Sequence, residues 1–79
     1  MKFFTITMTH ISPNATMIKT VQEWAGHGRQ NQFEAFEKIV NAEKEIAPCK
    51  VYPRYDSTCI NFLNGGKSIV TLHEAAIED

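Results

Sequence analysis

No stretch of this chain approaches the ~20 consecutive apolar residues that a membrane-crossing helix requires, and the longest β-like runs are broken by threonine. The opening MKFFTITMTHIS also lacks the continuous apolar core and small-residue cleavage site of a secretory leader. No partner at a membrane is therefore expected. There are only two cysteines, and without an export signal they predict a reduced, cytoplasmic chain. Charge of either sign is not in excess: the formal net charge is −1, which argues against wholesale wrapping of nucleic acid, because counterion release needs a clustered surplus of Lys and Arg. No repeat or low-complexity tract occurs, so residues 1–79 read as one small domain and as the whole protein. A core of this size supplies about 3–5 kcal/mol of net stability.

Catalytic and metal signatures are missing as well. Cys49 and Cys59 are ten positions apart, with no close Cys or His pair of the kind that pre-positions zinc ligands. They read as small buried apolar side chains, and no metal or cofactor is expected. Cys59 beside His10 or His73 would be the one nucleophile–base pairing to consider, but no spacing selects it. No catalytic residue is assigned, and the chain is expected not to be an enzyme.

The Gly65-Gly66-Lys67-Ser68 segment resembles the tail of a phosphate-binding loop, yet Asn61 stands where the first glycine belongs. The residues after Lys67 alternate as in a strand instead of opening a helix. Asn64-Gly65-Gly66 is a hairpin turn on this reading. Centring it on Asn64-Gly65 pairs Ile60 with Ile69, and centring it on Gly65-Gly66 pairs Phe62 with Ile69.

Residues 2 to 11 alternate with period two. Phe4, Ile6 and Met8 share one face, and Thr5, Thr7 and Thr9 share the other with Phe3 and Ile11, which predicts a strand. Ser12-Pro13 reads as a helix start, followed by Met17, Ile18, Val21, Trp24 and Ala25 at helical spacing and a stop at Gly26-His27-Gly28. A second helix is expected from about Asn31, with Glu34 completing a loose capping box, and with Phe33, Phe36, Ile39, Val40, Ile46 and Ala47 on its apolar face before Pro48. Segments 49–55, 58–63 and 67–73 read as strands, the first an edge strand or one that ends early at Pro53. The tail from Glu74 reads as a frayed helical turn or a disordered end. The predicted fold is α+β with two layers, in the order β-α-α-β-β-β, an antiparallel sheet with two helices packed on one face.

Two surfaces stand out as candidate partner sites. Lys50, Tyr52 and Arg54 alternate, so in an extended chain all three emerge together, suited either to a protein interface or to phosphates with a stacked base. The plain alternative is a solvent-facing edge whose charges discourage pairing. The second surface is the acidic helix face with Glu34, Glu37 and Glu45, able to imitate the charge of a nucleic acid toward a nucleic-acid-handling complex. A homodimer burying Phe3 and Ile11 is a further expectation. Together these predict a small non-catalytic protein-binding module, an inhibitor or regulator that occludes the surface of a larger complex. Phage-type inhibitors of host defence, the anti-CRISPR proteins among them, share this profile of size and missing chemistry. The alternative is a single-stranded nucleic-acid-binding protein that uses the cationic–aromatic strand.

Overall fold

The threonine-alternating N-terminal segment forms the first of five antiparallel strands. In the computed structural model, which describes residues 2–76, the elements are β1 Lys2–Ile11, β2 Ile18–His27, α1 Arg29–Lys44, β3 Cys49–Pro53, β4 Ser57–Phe62 and β5 Lys67–Ala76. The sheet order is β2-β1-β5-β4-β3. The single helix packs against one face and touches β1, β2, β4 and β5. The order is thus β-β-α-β-β-β, and one helix does the covering expected of two.

The overturned element is the segment after Ser12-Pro13. Its apolar residues have helical spacing because β2 contains a bulge. Met8 pairs with Val21 and Ile6 with Trp24, so two steps along β1 match three along β2, with the irregularity between Ile6 and Thr7. The extra residue lets Val21 and Trp24, three apart, face the helix together, and both pack on the Ile6–Met8–Val70 core. A three-residue interval read as a helical turn is a strand with one residue inserted.

The predicted helix start is a hairpin loop. Ser12 and Met17 close it with two bonds, the Ser12 N–H donating to Met17 C=O at 2.9 Å and the Met17 N–H to the side-chain Oγ of Ser12 at 3.0 Å. Asn14 Oδ1 accepts from the Thr16 N–H at 3.2 Å and from the Thr16 hydroxyl at 2.7 Å. These short polar side chains serve a turn as readily as a helix end, because both offer free amides nearby.

The helix begins two residues before Asn31, with Gly28 at φ 94° as its N-cap and no side chain capping it. Asn31 instead donates from Nδ2 to His27 C=O at 3.1 Å. Its inward stripe is Gln32, Ala35, Phe36, Ile39, Val40 and Glu43. Phe33 and Ile46, expected inside, are 45% and 68% exposed.

On the sheet, Phe4, Ile6 and Met8 are buried as the alternation predicts, joined by Ile60 and Val70. The Asn64-Gly65-Gly66 segment is a hairpin turn but follows neither expected register. Ile60 pairs with Ser68 and Cys59 with Ile69. The loop is Leu63-Asn64-Gly65, closed by Phe62 N–H to Gly66 C=O at 2.8 Å, with Gly65 at φ 96°. Three-residue hairpins place a left-handed residue at this point. β3 is an edge strand and ends at Pro53. The predicted frayed tail is strand as far as Ala76, and residues 77–79 lie outside the described residues.

Candidate functional site

Coverage by one helix leaves the second face of the sheet open. Strand registers place there Phe3, Thr5, Thr7, Thr9 and Ile11 of β1, Ile18, Thr20, Gln22, Ala25 and His27 of β2, and Lys67, Ile69, Thr71 and His73 of β5. They add Ser57, Cys59 and Asn61 of β4, with Lys50 and Tyr52 of β3. Among the described residues this face carries no acid. Glu23 at the bulge turns toward Ile39 and Ala42 of the helix, Glu74 shares the Phe4 side and pairs with Arg29 at 3.0 Å, and Asp56 lies in the β3–β4 turn. The described part of a chain with almost no net charge is therefore polarised, its described carboxylates in the helix layer and turns and its open face cationic or neutral.

The face is also pre-ordered. Thr7 Oγ1 lies 2.9 Å from His73 Nε2, Thr9 and Thr20 hydroxyls are 2.8 Å apart, and the Phe3 and His27 rings meet edge-on at 5.3 Å. Cross-strand pairs of this kind hold side chains in fixed rotamers. Of the predicted cationic–aromatic set, Lys50 and Tyr52 do emerge together, opposite Asn61 and Cys59, with Tyr52 49% exposed. Arg54 does not continue the alternation. It lies past Pro53, in a turn closed by its own N–H to Ser57 C=O at 2.7 Å.

The acidic set lies on the other layer. Glu34 and Glu37 are exposed on α1, and Glu45 is its C-cap. Lys38 and Lys44 interrupt them, and Glu34 accepts from Gln30 Nε2 at 3.3 Å, so this surface is mixed in sign.

The cysteine pairings considered from sequence do not form. Cys49 shares the face of its register partner Phe62, on the helix side, whereas Cys59 is on the open side and three register positions away, so adjacent strands hold the two thiols apart. Both are free thiols. His10 faces the helix, away from Cys59, and His73 sits two register rows from it. Among the described residues no group of three His, Cys, Asp or Glu could hold a metal ion, and no helix is long and apolar enough to cross a membrane.

Sequence reasoning missed a polar row under the helix end. His10 Nε2 lies 3.3 Å from Glu43 Oε1, and its Nδ1 lies 2.9 Å from Ser68 Oγ. A carboxylate only accepts, so Nε2 carries the hydrogen of this contact, while Nδ1 and the serine hydroxyl share the other. Serine, histidine and glutamate are the residue types of a hydrolytic triad. Here Ser68 is fully buried and does not border the adjacent cavity, so no substrate reaches its hydroxyl. The row is a polar brace between the layers. A signal was available: Glu43 occupies the inward stripe of α1 four positions after Ile39, where an apolar residue is the rule.

Comparison of the chain with protein-family models, with curated proteins and with solved structures finds no match.

Proposed function

We propose that this chain is a small non-catalytic protein-binding module, an inhibitor or regulator that works by covering part of a larger partner with the open face of its sheet. The observation that carries the reading is the exclusion of every described acid from that face. Five strands at their normal spacing present roughly 700 Å² there, close to the ~800 Å² per partner of a standard interface. Threonine methyls, Ile18, Ile69, Phe3 and Tyr52 supply apolar contact, and Lys50 and Lys67 supply charge. A partner surface bearing carboxylates or phosphates complements it. A second copy does not, since a two-fold axis would set the same cationic face against itself.

The test is association measured with two double variants. Lys50→Glu with Tyr52→Ala is expected to abolish capture of the partner from the native cell, while Glu34→Lys with Glu37→Lys leaves it intact. Retained capture in the first variant, or loss only in the second, moves the working surface to the helix and ends this reading.

The same charge segregation favours a second reading, single-stranded nucleic acid on the open face. The formal net charge of −1 weighs against it, but the relevant quantity is the charge of the contacting face. Tyr52 would stack a base and Lys50 and Lys67 would meet phosphates.

A further inference from the structure

Two exposed aromatic rings border a cavity at the N-terminal end of α1. Phe33, in the first turns of the helix, is 45% exposed, and Tyr55, in the β3–β4 turn, is 95% exposed. The cavity measures about 400 Å³, within the range of small-molecule sites. Its turn wall is braced, the Arg54 N–H donating to Ser57 C=O at 2.7 Å and the Leu72 N–H to Asp56 C=O at 2.8 Å. An ordered backbone thus holds the Tyr55 ring outward, where it packs on almost nothing in the chain. A second feature lies on the helix side. Gln32 is 4% exposed, on the inward stripe of α1 where an apolar residue is the rule. Its Nε2 donates to His73 C=O at 3.1 Å, and among the described residues its Oε1 accepts from nothing. That oxygen is not enclosed, so it opens where the side chain borders the cavity.

We infer that this cavity binds a planar heteroaromatic ring carrying an amino group, of the nucleobase type, its faces meeting Phe33 and Tyr55 and its N–H donating to Gln32 Oε1. The charges at the rim select such a ring over a simple ion. Arg29 is engaged by Glu74 at 3.0 Å, so that cation and anion offset each other. The Asp56 carboxylate, which also borders the cavity, is a further acceptor for an amino group and disfavours a free anion. An alkyl ammonium offers the two rings no planar face. Stacking on aromatic side chains tolerates every base, so the acceptors and not the rings choose the amino-substituted one. The walls come from α1 and the β3–β4 turn, and the site does not rest on the open-face reading.

The experiment is titration of isotopically labelled full chain with adenosine, with purine riboside, which lacks the amino group, and with hexylamine, followed by NMR. Adenosine is expected to shift the Gln32, Phe33 and Tyr55 resonances saturably, purine riboside to bind roughly fivefold more weakly, and hexylamine not to bind. Tyr55→Ala, at a ring too exposed to support the fold, is expected to weaken adenosine binding roughly tenfold. Gln32→Leu is expected to remove the preference for adenosine over purine riboside, and Tyr52→Ala, on the open face, to change nothing. A short oligoadenylate carries the same ring. Tighter binding than adenosine, lost in Tyr55→Ala, supports a strand as its source, and equal binding supports a free nucleoside. No saturable shift, equal binding of adenosine and purine riboside, binding of hexylamine as tight as adenosine, an unchanged titration in Tyr55→Ala, or a loss in Tyr52→Ala instead overturns the inference.

Discussion

His10 and Glu43 stand 3.3 Å apart across the boundary between sheet and helix, and the imidazole spans from that carboxylate to the Ser68 hydroxyl at 2.9 Å. Removing the ring strands two buried groups at once. His10→Ala is expected to lower unfolding free energy by about 2 kcal/mol, read as a lower midpoint in urea. Glu43→Leu is expected to be neutral or stabilising, because an apolar side chain of similar size removes Oε2, which is buried with no hydrogen-bond partner among the described residues. In His10→Ala with Glu43→Leu most of the loss should be recovered; additive losses would show that the two side chains do not act together.

The bulge in β2 absorbs Glu23, so that Val21 and Trp24, three apart in sequence, share one side. Glu23→Ala keeps the inserted residue and is expected to change stability by less than about 1 kcal/mol. Deleting Glu23 leaves Val21-Gln22-Trp24 in regular alternation, with Val21 still opposite Met8 and Trp24 opposite Ile6. The deletion variant is therefore expected to fold with native tryptophan emission. Unfolding or red-shifted emission on deletion would contradict the register.

Cys49 and Cys59 belong to adjacent strands but to opposite faces. Mild oxidation is expected to leave both thiols titratable, with no intramolecular bridge by mass spectrometry. Alkylation at Cys59, which lies beside Ile69 and Tyr52 on the open face, is expected to block partner association. Alkylation at Cys49 is expected to leave it unchanged.

Gly65 holds φ 96°, and a Cβ there would meet the Pro13 carbonyl oxygen at 3.4 Å. Gly65→Ala is expected to cost about 1 kcal/mol, visible as a reduced thermal midpoint. Gly66 lacks the positive φ, but a Cβ there would meet Asn64 Oδ1 at 3.2 Å, so the test rests on Gly65, where an alanine without loss of stability would argue for a different turn.

For the nucleic-acid reading, binding of mixed single-stranded RNA and DNA oligonucleotides should fall steeply with salt, and Tyr52→Ala should remove about 1–3 kcal/mol. A flat titration at low salt leaves the protein partner as the sole reading.

Local chemistry made part of this molecule legible. The Phe4–Ile6–Met8 alternation identified β1 and its buried face, Asn64-Gly65-Gly66 marked the last hairpin, and Pro53 marked the end of an edge strand, because each signal lies within a few residues of its effect. The register of that hairpin was not legible, since two- and three-residue loops use the same glycines. Among the candidate contacts, Lys50 and Tyr52 followed from alternation, while Arg54 left the row because Pro53 ended the strand.

What the tertiary structure alone decided is the fate of residues 12–28. Apolar residues at positions 17, 18, 21, 24 and 25 suit a helix in isolation, but pairing β2 to β1 around a single bulge partly buries Val21 and Trp24 against the core while the strand's hydrogen bonds go to the sheet. The same long-range pairing separates the carboxylates from the open face and brings His10, Glu43 and Ser68 together from three distant segments. Sequence periodicity records which residues seek burial. Only the assembled layers determine which face they share, because that depends on partners dozens of positions away.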